Sequence, residues 1–157
     1  MIKDPRSMQR LINEIGILMA DDDPDDRLMA REAFEEARLL NAIAFVEDGQ
    51  ELLDYLKKRG KHQTRKGNLP GLILLDLNMP RKDGRQALEE IKSDPDLKQI
   101  PVVILTTSKA EEDIVKSYKL GASGYITKPV SFEGLVEIIK ALRVYWFEIV
   151  ELPPSAN

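Results

Sequence analysis

The chain contains no cysteine in its 157 residues, which excludes disulfides and thiolate metal sites and permits a reducing compartment. No apolar run approaches the roughly 18 residues that a spanning helix requires, so no membrane segment is expected. The opening Met1-Ile2-Lys3-Asp4-Pro5-Arg6 has no apolar block of the kind a secretory signal needs, and the expected address is the cytoplasm. Positive charge is not in excess either. A formal net charge of −4 argues against direct nucleic-acid binding, because neutralising phosphates takes a basic face. The single histidine, His62, lies in a basic stretch and reads as solvated surface. What is present, 43% apolar and 32% charged residues in a chain of one-domain length, is the composition of a globular domain with one core.

Apolar runs and helical periods alternate along the chain. Ile15 to Ala20, Ala42 to Val46, Leu72 to Leu75, Ile100 to Leu105 and a short segment at Tyr125-Ile126 read as strands. Helices are expected from Pro24 to about Leu39, Gln50 to Lys58, Arg85 to Ser93, Ala110 to Leu120, and from Ser131 towards Ile149. The fourth of these should turn Ile114, Val115 and Tyr118 inward. Near-continuous apolar strands joined by helices indicate a parallel sheet covered on both faces, a doubly wound α/β domain. Residues 1–14 read as an N-terminal arm, 15–152 as the folded domain with a long last helix, and 153–157 as a frayed tail.

In such sheets ligands bind at the carboxyl ends of the strands. The first strand ends at Asp21-Asp22, the third at Asp76, the fourth at Thr106 and the fifth at Lys128. A carboxylate at the mouth of a core is costly unless a cation or a covalent modification compensates it, which singles out Asp76. Oxygen ligands beside open water positions suit a hard cation, and Mg²⁺ typically takes one or two carboxylates while leaving places for phosphate oxygens. Asp76 would then be the oxygen nucleophile, with Lys128 and Thr106 bonding the phosphoryl oxygens. Asp23, Asp25 and Asp26 read as the cap and acidic first turn of the first helix, not as part of this group.

Asp21-Asp22, Leu75-Asp76-Leu77-Asn78-Met79-Pro80, Thr106 and Gly121-Ala122-Ser123-Gly124-Tyr125-Ile126-Thr127-Lys128-Pro129 together resemble the receiver domain of two-component response regulators, over about Ile15 to Ala141. The resemblance implies the flavodoxin-like strand order 2-1-3-4-5. It implies phosphorylation of Asp76 by a sensor histidine kinase, and catalysis of no reaction beyond the domain's own phosphorylation and dephosphorylation. Mg²⁺ would be held by Asp22 directly, Asp21 through water, Asp76, and the backbone carbonyl of Asn78. Thr106 and Tyr125 match the pair that reorients on phosphorylation, and Lys128 the phosphate-contacting lysine, commonly followed by a cis peptide to proline. Thr107, bulkier than the residue often found there, and Val130, in place of a frequent Phe, depart from the pattern.

A narrower resemblance rests on the basic insert before the third strand, Asp76 to Arg85, Leu105-Thr106-Thr107-Ser108 and the ending from Tyr145 to Pro153. It is to the small response regulators paired with bacterial and cyanobacterial phytochromes, and implies a phytochrome-type kinase, a downstream signalling protein as partner, and no DNA-binding output domain. The last helix is apolar around most of its girth at Val144, Tyr145, Trp146 and Phe147, which suggests a homodimer interface. The run from Lys57 to Pro70, rich in Lys and Arg with no acid, reads as a solvated loop. An aspartyl-phosphate phosphatase is the enzymatic rival, but would want a second carboxylate two residues after the nucleophile, where Asn78 stands.

Overall fold

Side chains alternate across a strand, so a strand apolar at every position needs cover on both faces. Leu72–Leu75 is such a strand, with all four residues buried. The structure, a computed structural model, describes residues 16–39 and 41–149, and for 145–149 the backbone alone. In chain order it contains β1 (Ile17–Ala20), α1 (Pro24–Glu36), β2 (Ile43–Val46), α2 (Gly49–Lys57), β3 (Leu72–Leu75), α3 (Gly84–Ser93), β4 (Val102–Thr106), α4 (Glu111–Lys119), β5 (Gly124–Thr127) and α5 (Phe132–Ile149). The five strands are parallel in the order β2-β1-β3-β4-β5, the order the receiver resemblance implies.

The sheet divides the core in two. Leu18, Ala20, Ile73, Leu75, Val102 and Ile104 face α2 and α3, meeting Leu52, Leu53, Leu88 and Ile91. Ile17, Met19, Leu72, Leu74, Val103 and Leu105 face α1 and α5, meeting Ala33, Phe34, Leu135 and Ile139. The register sets Ala20 beside Val46 on one side and Leu75 on the other, so the residues that follow each strand emerge together on one rim.

Three expectations about the helices and peptide bonds need correction. The first helix stops at Glu36, not near Leu39, although no glycine ends it. Arg38 takes a left-handed conformation at φ 58°, its amide donates to the Glu35 carbonyl, and the Leu39 amide donates to that of Phe34. This paired closure satisfies the last carbonyls and returns Leu39 to the core. Secondly, Val115 and Tyr118 do not turn inward: they are 47% and 50% exposed, and Ser117 is the buried residue of α4. Thirdly, the Lys128–Pro129 peptide is trans, as are all peptides among the described residues.

The basic segment is mostly exposed, as a solvated loop should be, but it is tied down. A short 3-10 turn at Gly60–His62 folds it back on α2. His62 Nε2 lies 2.9 Å from Glu51 Oε2, and its ring meets Tyr55 edge-on at 5.1 Å. Arg65 stacks its guanidinium 4.2 Å from the centre of the Tyr55 ring and donates from Nε to the Tyr55 carbonyl at 3.0 Å. Lys57, Arg59 and Lys61 pair with Asp94, Asp54 and Glu51. Acids outside the segment, on and near α2, therefore absorb much of its charge.

Candidate phosphoacceptor site

The site is assembled by the elements that start and stop around the rim. Asp23 caps α1 by accepting from the Asp25 amide, with Pro24 at the first helical position. Asp83 and Gln86 form a reciprocal capping box that starts α3. The turn between Asp76 and α3 runs back across the strand end so closely that a Cβ on Gly84 would collide with the Asp76 carbonyl oxygen. Gly49 has the same relation to the Lys82 carbonyl, to which its amide donates at 2.8 Å. Arg81, at φ 63°, ties the turn to the buried Asp48 through a 2.6 Å bond.

Asp76 is 7% exposed. Its Oδ1 accepts from the Thr106 hydroxyl at 2.8 Å and from the Asn78 amide at 3.1 Å, while Oδ2 accepts from Lys128 Nζ at 2.9 Å. The same ammonium donates to Asp21 Oδ2 at 2.6 Å and to Asp26 Oδ2 at 2.8 Å. Backbone joins two of these residues as well, since the Lys128 amide donates to the Thr106 carbonyl at 2.7 Å. Asp22 is exposed beside them, and oxygen atoms of Asp21, Asp22 and Asp76 all lie within 4.8 Å of one another. Asn78 and Thr107 face solvent at the same mouth.

Burial raises the Asp21 carboxyl above its ordinary range, against the pull of Lys128 and of the Asp23 amide that bonds it at 3.0 Å. For Lys128 burial opposes the charge, but its bonds to Asp21, Asp26 and Asp76 outweigh it and hold the ammonium above the usual lysine range. One cation is thus shared among three acids. The donor set is all oxygen, the three rim carboxylates are close enough to share an ion, and together they fit a hard divalent cation such as Mg²⁺.

A second network flanks the first. The Tyr125 hydroxyl donates to the Ser108 carbonyl at 3.0 Å, and the Ser108 hydroxyl donates to Asp113 Oδ2 at 2.7 Å. Arg85 grips Asp113 with two bonds of 2.8 Å. The Arg85 fork and then the Ser108 bond hold the Asp113 carboxyl down at about 2. Sequence reasoning assigned Asp26 to the helix terminus and passed over Arg85, Asp113, Asp48 and Arg81. An acid at the third position of a helix that begins beside a site was the available signal for Asp26; the other pairs join residues far apart in sequence.

The response regulator receiver domain family matches residues 17–140. The chain belongs to this family. Among its relatives, the response regulator Rcp1 of Synechocystis is 38% identical over 139 residues, covering 88% of this chain and 93% of Rcp1. The phosphorylated cyanobacterial phytochrome response regulator RcpA superposes with a TM-score of 0.80 at 40% identity, covering 90% of this chain and 99% of that one. The Mn²⁺-bound form of Rcp1 gives a TM-score of 0.78 at 37% identity, covering 89% and 99%. In this receiver domain Asp21, Asp22, Asp76, Thr106 and Lys128 stand together at one rim, with Tyr125 behind them in contact with the loop that follows Thr106.

Among the described residues no helix is long and apolar enough to cross a membrane. Val144 is 64% exposed. Tyr145, Trp146 and Phe147, expected at an interface, have side chains outside the described residues, as do the arm at 1–14 and the tail at 153–157.

Proposed function

We propose that this receiver domain is a phosphorylation switch in which Asp76 takes a phosphoryl group from the phosphohistidine of a sensor kinase, a phytochrome-type kinase being the best-supported donor. The carrying observation is the convergence on one Asp76 carboxylate of a hydroxyl at 2.8 Å and an ammonium at 2.9 Å, beside two further acids. A carboxylate is ionised at neutral pH and needs no base. One Asp76 oxygen attacks phosphorus, the phosphorus–nitrogen bond of the donor breaks, and its electron pair returns to the imidazole. Thr106 and Lys128, bonded to the acceptor before transfer, are within reach of the phosphoryl oxygens after it. Asp21, Asp22, Asp76 and the Asn78 carbonyl would hold Mg²⁺, which when bound offsets the negative charge on the phosphoryl oxygens.

Once Thr106 turns to the phosphoryl group, the Ser108 loop and Tyr125 lose the arrangement that the free carboxylate supports, and a partner protein reads the altered face. A homodimer through the last helix at Val144 and the turns beyond it is part of this reading, as is a cytoplasmic address. Incubation with acetyl phosphate and Mg²⁺ is the test. Wild type should gain close to one hydroxylamine-sensitive phosphate per chain and Asp76→Asn none; equal labelling of the two by mass spectrometry would sink the proposal.

A further inference from the structure

The carboxylate that the sequence reading set aside holds the same ammonium as the phosphoacceptor. Lysine has three N–H donors, and in Lys128 they meet three acids, Asp21 at 2.6 Å, Asp26 at 2.8 Å and Asp76 at 2.9 Å. Two of those acids belong to the cluster that fits a divalent cation; Asp26 does not. A cation on Asp21 and Asp76 competes with the ammonium for the same oxygens, so Lys128 needs an anion that the cation leaves alone. Asp26 supplies it from a fixed position. It sits in the first turn of α1, where Pro24 and the Asp23 cap set the backbone and where the helix dipole favours a negative charge. Lys128 and Asp26 line one small recess with Met19, Met29, Leu105, Pro129 and Leu135, which places the lysine stem against apolar side chains.

We infer that Asp26 is a positioning residue that retains Lys128 at the phosphoacceptor when a divalent cation displaces it from Asp21. This rests on the phosphoacceptor reading of Asp76. Asp26 touches neither the phosphoryl group nor the metal. It keeps one N–H of Lys128 engaged throughout, which aims the other two at the oxygens around Asp76 and makes displacement from Asp21 less costly.

The test is a double-mutant cycle on Mn²⁺ affinity, measured by electron paramagnetic resonance on the full chain at about 0.15 M salt, where remote charges are screened. Wild type, Asp26→Asn, Lys128→Met and the double variant are compared. Asp26→Asn should weaken Mn²⁺ binding five- to tenfold when Lys128 is present and less than twofold in the Lys128→Met background. Asp26→Glu, which keeps the charge, should recover at least half of the loss. An equal loss in both backgrounds means that Asp26 attracts the ion directly and overturns the inference, as does no loss in either. Asp26→Ser serves as a second variant if the asparagine form unfolds below 40 °C. Labelling by acetyl phosphate separates the two readings. If Asp76 is labelled but the cycle shows no coupling, only the role of Asp26 fails, whereas an unlabelled Asp76 removes the phosphoacceptor reading whatever the cycle gives.

Discussion

The two flanks of Asp76 are built differently. On the β1, β3 and α2 side the turn after Asp76 is held against α2 by Gly49 and Lys82, by Asp48 and Arg81, and by the absence of any room for a Cβ at Gly84. On the α4 and β5 side every residue of β5 is only partly buried, and an apolar groove of about 420 Å³ lies between Tyr118, Tyr125, Ile138 and Leu142. Beyond the β4–β5 pairing and the packing of Ala122, Tyr125 and Ile126, polar bonds tie the loop on that side: the Arg85 fork on Asp113, the Ser108 hydroxyl and the Tyr125 hydroxyl. A close-packed flank keeps Asp76 in place, while a flank tied by exchangeable polar bonds has alternatives available to it. In the proposed switch, the first side of the rim would supply precision and the second the freedom to rearrange.

Matched glycine substitutions break this comparison most forcefully. Gly84→Ala sets a methyl group into backbone at Asp76 and Leu77, and should cost about 3 kcal/mol in urea unfolding. Phosphate uptake should fall with it. Removing the polar latch should have a smaller effect. Asp113→Asn should cost about 1 kcal/mol, and should raise amide exchange in the loop from Thr107 to Ala110 more than in β1 or β3.

The latch also has a pH signature. The Asp113 carboxyl lies near 2 in the folded chain, against an ordinary value of 3.8, so its contribution is complete above about pH 4 and is lost as the pH falls towards 2. Wild type should therefore lose more stability than Asp113→Asn across that interval. Parallel curves would remove the latch from the account. The smallest effect is expected at Gly124→Ala, where a Cβ would make only ordinary contact with Val103 at 3.7 Å, and stability should move by less than about 0.5 kcal/mol. A loss there as large as at Gly84 would show that the two flanks are equally tight.

The sheet and its rim were legible because a doubly wound fold converts strand ends into neighbours. Once Asp21, Asp76, Thr106 and Lys128 were recognised as strand ends, their meeting followed from topology alone. Asp26 was lost because helix capping already accounted for an acid at that position, and a sufficient local explanation conceals a tertiary one. The stop at Arg38 was invisible since the left-handed residue is not glycine and the closure is carried by main-chain bonds. Lys57, Arg59 and Lys61 are exposed as a solvated segment should be, whereas His62 and Arg65 are partly covered because the fold brings them onto Glu51 and Tyr55 of α2. Val115 and Tyr118 were misjudged because helical period gives the spacing of an apolar stripe but not which edge of it meets the sheet.

The bond from the Lys128 amide to the Thr106 carbonyl bears on how fast the proposed switch would act. It joins the chain segments that carry the hydroxyl and the ammonium, so neither backbone can slide past the other while β4 and β5 remain paired. Thr106 is buried, so its hydroxyl turns only as its neighbours yield, whereas the partly exposed loop after it rearranges over nanoseconds to microseconds. In the proposed switch, the interval before a partner could respond would belong to the four residues between Thr106 and α4.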